Sequence, residues 1–287
     1  MRRLFGGLLI ILILIAPKVG ETSREIPDDN LAYPVLISLE TGSNGSGFFL
    51  NNDSRIYLVT ASHVLFEQTS GNLKAQQARL LSYSIDPKET ERNIIQLDLK
   101  TLVESRRVRK HLSEDVAVVF IAMSKENAET GQRSLSVVPG VVVIQKAPSG
   151  ILGVNSESVK PFKDVLTANT IYVFGYPTSL GMKEIPQIDP LRPLLRFGIV
   201  AGTNPDRKTI ILDCPSYPGN SGGPVLEVEH IDLGKKNFKV IGVVSRFIPF
   251  AETRDNITHK NKNLIISNFG YTVAVSMDPV IELTSSP

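Results

Sequence analysis

The chain has 287 residues, 42% of them hydrophobic and 21% charged, with a formal net charge of +2. That size and composition support one large or two small globular domains with a real core, and the near-neutral charge points to neither a nucleic acid nor an acidic partner. A single cysteine, Cys214, excludes an intrachain disulfide, so an exported form folds without covalent staples.

Residues 1–20 have the layout of an export signal. Arg2 and Arg3 precede thirteen largely apolar residues, Leu4 to Ala16, and Pro17 and Lys18 follow. Thirteen is signal-peptide length and falls short of the roughly 20 residues that cross a bilayer. No clean small-x-small cleavage site follows, so a removable signal and a retained anchor through residues 4–16 both stay open. Either way the expected location is outside the cytosol, periplasmic or secreted. No cysteine follows the run, which excludes lipid attachment there.

Short runs rich in β-branched and aromatic residues come next, bounded by Gly, Asn, Ser and Asp. They are residues 33–39, 47–50, 56–60, 78–85, 94–99, 116–121, 141–144, 171–174, 197–201, 210–212, 240–244 and 271–275. A dozen short strands with turn chemistry between them predict an all-β sandwich or barrel, not alternating βαβ units. Helix signals are few: a turn at residues 61–68, and residues 278–284, which open with a capping aspartate and a proline at the first helical position. The polar stretch 124–140 reads as a connector between two halves, residues 254–263 as a polar insertion, and the basic run Arg106, Arg107, Arg109, Lys110 as a solvated surface loop.

One stretch carries chemistry: Pro218-Gly219-Asn220-Ser221-Gly222-Gly223-Pro224. Its glycines and prolines exclude a helix interior. They predict a tight turn that projects one hydroxyl beside bare backbone amides, which is what a nucleophile and an oxyanion site need. Four histidines are present: His63, His111, His230 and His259. His63 follows the apolar strand 56–60 within Thr60-Ala61-Ser62-His63, a rigid seat for a general base. Asp115 heads the apolar run 116–121, where a carboxylate carried toward the core needs partners. A nucleophile-elbow hydrolase built from Ser221, Asp232 and His259 fails, because Pro224 and Val225 lead into a strand where that motif demands a helix.

The order His63, Asp115, Ser221, each in its own local setting, resembles the trypsin-like (chymotrypsin-fold) serine peptidases. Within them it is most similar to the HtrA/Deg-type bacterial enzymes, in Thr60-Ala-Ser-His63, Asp115-Val-Ala-Val118 and Pro218-Gly-Asn-Ser-Gly-Gly-Pro224. The likeness spans roughly residues 31–285. It implies two antiparallel six-stranded β-barrels and a short C-terminal helix. The peptidase domain would occupy residues 21–287, with barrels at about 31–123 and 141–277, the connector at 124–140 and the helix at 278–285. It also implies a serine endopeptidase acting on a protein or peptide without cofactor or metal. In that reading Ser221 is the nucleophile, His63 the base, Asp115 its orienter, and the amides of Gly219 and Ser221 the oxyanion hole. Ser245 would support Asp115 and border the substrate backbone.

Departures from the digestive enzymes carry information. Asn220 replaces the aspartate that receives a cleaved N-terminus, so activation by pro-segment removal is not expected. Pro215 at the pocket floor lacks the acid that selects Arg or Lys, which implies a preference for small or medium apolar residues. Arg246 offers the alternative, an acidic residue before the cut, as in the glutamyl endopeptidases. A silent or latent peptidase-fold binding module is the reading from another class. Residues 176–196 form a candidate gating loop, and ending at Pro287 leaves no room for the PDZ module common in such enzymes. Sequons at Asn44, Asn52 and Asn256 matter only in a eukaryotic secretory pathway. No metal-binding or phosphate-binding motif occurs.

Overall fold

Strict alternation sets the first half of the chain: strand β5 (Arg92–Asp98) turns Asn93, Ile95 and Leu97 inward and its other residues toward solvent. The computed structural model describes residues 25–126, 133–178, 185–231, 235–256 and 261–285. The leader, Asp232 and His259 lie outside the described residues. Among the described residues no helix is long and apolar enough to cross a membrane.

Ten strands form the first sheet: β1 (Val35–Leu39), β2 (Asn44–Asn52), β3 (Arg55–Thr60), β4 (Gln77–Tyr83), β5, β6 (Val108–Lys110), β7 (Ala117–Glu126), β8 (Arg133–Val137), β9 (Val141–Gln145) and β10 (Val154–Asn155). Their hydrogen-bonded order is β6-β7-β3-β2-β1-β4-β5-β9, with β8 on β7 and β10 on β2. The second sheet comprises β11 (Thr170–Gly175), β12 (Leu194–Asn204), β13 (Thr209–Asp213), β14 (Pro224–His230), β15 (Lys236–Asn256) and β16 (Asn261–Ser276). It closes as the six-stranded barrel β11-β12-β13-β16-β15-β14. Among the described residues the α-helices are short: α1 (Ser62–Leu65), α2 (Leu99–Glu104) and α3 (Asp278–Ser285). The expected all-β architecture in two sheets with a C-terminal helix is met. The first sheet exceeds six strands, and its outer strands β6 and β9 do not meet.

Several local assignments change. Residues 124–126 and 133–137, expected within a connector, lie in strands: β7 runs on to Glu126 and pairs with β8, from Ala122 opposite Val137 to Glu126 opposite Arg133. The signal was present as alternation of Ser134 and Ser136 with Leu135 and Val137. Val141 pairs with Leu97, so β9 belongs to the first sheet, and the crossing between sheets falls at residues 146–169. The basic run is strand β6 with its flank: the Arg107 guanidinium lies over Phe120 at 5.5 Å, Lys110 lies over Phe66 at 4.8 Å, and Arg109 donates to the Leu283 carbonyl. Long apolar stems under a charged head let such residues pack. The insertion 254–263 lengthens a β15–β16 hairpin, paired from Thr253–Leu264 out to Asn256–Asn261.

The three largest of four apolar clusters among the described residues hold these layers. One fills the curl of the first sheet around Ile37, Leu58, Leu80 and Leu97. One fills the barrel around Ile171, Ile210, Leu212 and Ile241, with Cys214 among them. The third lies between, where Phe48, Tyr57 and Val118 of the first sheet meet Phe174, Leu226, Val243 and Met277 of the second. Burial of that size makes the halves one unit, since apolar area removed from water is the main favourable term in packing. The crossing segment is tied by charge: the Lys160 ammonium lies 2.6 Å from both Glu227 and Glu229 of β14, and Asn169 donates to Glu227 at 2.6 Å. Burial opposes the Lys160 charge, but the two carboxylates outweigh it and raise its pKa.

Candidate active site

The strand β3 delivers its last residue, Thr60, into the interface, and α1 begins two residues later. His63 therefore sits in the first turn of a helix anchored to a buried strand. Asp115 precedes β7, whose register beside β3 (Thr60 opposite Ala117) brings the two residues together. His63 Nδ1 lies 2.7 Å from Asp115 Oδ2, each side chain about a quarter exposed. The carboxylate is fully engaged. Its Oδ1 accepts from the Ser62 hydroxyl at 2.7 Å and from the His63 amide at 3.0 Å, and its Oδ2 accepts from the Ser245 hydroxyl at 2.6 Å. Burial pushes the Asp115 pKa up, but the imidazole and the two hydroxyls outweigh that and hold it well below the usual carboxylate range. An ionised Asp115 makes Nδ1 the protonated nitrogen and leaves Nε2 free to accept.

Ser221 comes from the barrel, on the turn that leads into β14. The turn is closed by Asn220, whose amide donates to the Tyr217 carbonyl at 2.9 Å and whose side-chain oxygen accepts from the Tyr217 amide at 3.2 Å. The Pro218 carbonyl is turned away toward the Thr178 amide, 2.8 Å distant. Among the described residues the amides of Gly219 and Ser221 donate to nothing, so two adjacent N–H groups stand open beside the hydroxyl. Gly219 has φ +99°, and a Cβ there would sit 2.3 Å from the Tyr176 carbonyl. Glycine is thus required by the wall behind the turn.

The three residues line one cleft of about 780 Å³, together with Leu112, Tyr217, Gly219, Ser245, Arg246 and Phe247. His63 and Asp115 are bonded. The Ser221 hydroxyl donates instead to the Ser245 carbonyl, at 3.0 Å. Of the expected specificity residues, Ser245 and the exposed Arg246 line the cleft, whereas Pro215 does not. Its neighbour Ser216 does, with a hydroxyl 2.9 Å from that of Thr272. Cys214 is buried in the barrel core, which pushes its thiol up to about 11; it is a small apolar filler.

Two contributors escaped sequence reasoning. Ser62 stood inside the histidine motif as a hydroxyl directly before His63, and that was the available signal. Ser46, between two glycines at the start of β2, gave a weaker one. Its hydroxyl donates to the Gly219 carbonyl at 2.7 Å and accepts from the Tyr176 amide, while its own amide donates to the Ser221 carbonyl at 2.8 Å.

Residues 45–231 match the family model of the trypsin-like peptidase domain. No curated protein sequence matches the chain. Among solved structures, that of Deg5 is 18% identical, covers 88% of each chain and gives a TM-score of 0.47. The thermostable serine protease AL20 from an extremophilic microorganism is 12% identical over 90% of this chain and 100% of its own, with a TM-score of 0.49. The HtrA-type protease AlgW with a tripeptide is 16% identical over 91% and 63%, with a TM-score of 0.46.

Proposed function

Because the chain belongs to the trypsin-like peptidase family, we propose that it is a serine endopeptidase working through His63, Asp115 and Ser221. The observation that carries this is the saturated Asp115 carboxylate on His63 Nδ1, in the same cleft as a serine flanked by two open amides. Ser221 Oγ attacks the scissile carbonyl as His63 Nε2 takes its proton. The tetrahedral oxyanion is received by the Gly219 and Ser221 amides, and His63 returns the proton to the leaving amine. Water then repeats the sequence on the acyl-enzyme.

Small or medium apolar residues before the cut are favoured by Ser216, Tyr217 and Phe247 in the cleft lining, with Pro215 in place of an acid in the sequence beside them. The exposed Arg246 favours the second reading, an acidic residue at that position. The proposal includes export directed by residues 1–20, with a protein or peptide as substrate.

Fluorophosphonate labelling tests the chemistry. Label on the wild type that disappears in Ser221→Ala, but not in a surface-serine variant, is the expected result. A folded wild type that takes no label favours the silent binding module. Peptide-library cleavage then separates the two specificities, and a strong preference for Arg or Lys overturns both.

A further inference from the structure

A second histidine, His111, stands on the loop that delivers Asp115. This loop, residues 111–116, joins β6 to β7 and has few ties of its own. Leu112 is fully exposed, and among the described residues the amides of Leu112 and Asp115 donate to nothing. The His111 amide closes the loop on the Val116 carbonyl at 2.9 Å, and the Val116 amide binds the Glu114 carbonyl at 2.8 Å. The His111 ring supplies the other hold. Its Nδ1 accepts from the Glu114 amide at 3.0 Å and from the Ser113 amide at 3.4 Å. A side-chain acceptor serving amides two and three residues ahead has the geometry of an Asx-turn, with an imidazole where aspartate or asparagine is usual.

A ring nitrogen that accepts carries no proton, so the His111 proton is on Nε2. That group donates to Glu282 of α3 at 3.3 Å, and the ring is 20% exposed. The helix is itself fixed, by Val280 in the seam between the sheets and by the Arg109 guanidinium on the Leu283 carbonyl. His111 thus ties a solvated loop to a packed helix. Asp115 depends on that tie, because its carboxylate is gripped only from outside the loop, by Ser62, His63 and Ser245. Those donors reach it where the backbone places it, and the ring holds the amide of the residue directly before it.

We propose that His111 is a positioning residue for the reaction: its Nδ1 fixes the Glu114 amide and thereby sets Asp115 onto His63. This rests on the peptidase reading above. Among the described residues the ring makes no hydrogen bond to His63, Asp115 or Ser221, so it acts through the loop.

The test separates the two ring nitrogens. Asparagine keeps an acceptor at the δ position and has no ε atom, whereas glutamine keeps an ε amide and loses the δ acceptor. His111→Asn and His111→Gln are made in the full chain and read in two ways. One is the rate of fluorophosphonate labelling. The other is the far-downfield proton NMR signal of His63 Nδ1–H, assigned by its absence from Asp115→Asn. His111→Asn is expected to label within about twofold of the wild type and to keep the signal. His111→Gln is expected to label about tenfold more slowly, as for the loss of one or two hydrogen bonds, with the signal broadened by exchange. A merely structural histidine would lower the thermal midpoint of both variants and leave the signal in each. That result, equal labelling of the two variants, or a folded wild type without the signal overturns the assignment. Wild-type labelling is read separately. An unlabelled wild type whose signal follows the δ acceptor removes the peptidase reading and leaves the positioning role, and a labelled one whose signal ignores His111 does the reverse.

Discussion

The Ser221 hydroxyl rests on the Ser245 carbonyl at 3.0 Å, and among the described residues it makes no hydrogen bond to His63. In the proposed mechanism the base is fully oriented while the nucleophile is parked one rotation away. Productive attack needs that hydroxyl to swing from Ser245 to His63 Nε2, and a substrate amide that claims the Ser245 carbonyl would release it.

Ser245 also donates its hydroxyl to Asp115 at 2.6 Å, so truncation separates its two roles. Ser245→Ala keeps the carbonyl and removes one of four partners of the carboxylate. A hydrogen bond to a charged group contributes about 1.5–3 kcal/mol, and only part of it bears on the transition state. The expected outcome is a fall in kcat of about tenfold with KM within about twofold, measured by steady-state peptide hydrolysis. Unaltered kcat would sink the orienting role.

Asp115→Asn replaces the acceptor of the imidazole proton by a group that favours the wrong tautomer, and kcat is expected to drop by about four orders of magnitude. The same carboxyl gives a pH signature. Its folded pKa lies below the ordinary value of 3.8, so the stability it contributes is complete above that value and is lost as pH falls below it. Urea midpoints measured from pH 6 down to about pH 2 should therefore fall more steeply for the wild type than for Asp115→Asn. Parallel curves contradict this.

Much of this was legible in the sequence, for reasons particular residues make plain. Strands such as 92–98 announce themselves because one face is dry and the other wet, and the three motifs are local enough to read as strings. What stayed hidden depends on partners distant in the chain. Nothing near Val141 says whether it pairs with Leu97 or with the barrel, and the role of Ser46 exists only once the two sheets have met. The extension of β15 was masked by its polar tip, since a two-stranded ribbon exposed on both faces lacks the alternation that marks a half-buried strand.

Gly222 has φ +88°, and a Cβ there would lie 2.0 Å from the Ser46 carbonyl and 2.2 Å from the Thr60 hydroxyl. Both neighbours belong to the first sheet and neither can yield. Gly222→Ala is expected to cost at least about 2 kcal/mol by strain and overpacking. Thermal unfolding and fluorophosphonate labelling should fall together. A variant with wild-type stability rules out the close approach.

Lys160→Met strands Glu227, which is 0% exposed, without its cation. Removing one partner of a buried pair costs about 3–5 kcal/mol, whereas replacing both is often close to neutral. The urea midpoint should fall sharply in Lys160→Met and recover in Lys160→Met/Glu227→Gln. A single variant that costs less than about 1 kcal/mol contradicts the tie.

Ser46 belongs to the first sheet, yet its amide and hydroxyl grip the carbonyls of Ser221 and Gly219 in the second. In the proposed mechanism the base and its orienter come from one half of the chain and the nucleophile from the other, with this serine as the clasp. A chain still being made, with only its first sheet formed, has no nucleophile. A barrel that has folded but not docked has no base and no brace for its turn. On that mechanism the molecule carries its own safeguard in time: it would not cut its surroundings, or its sister chains, before its own assembly is finished.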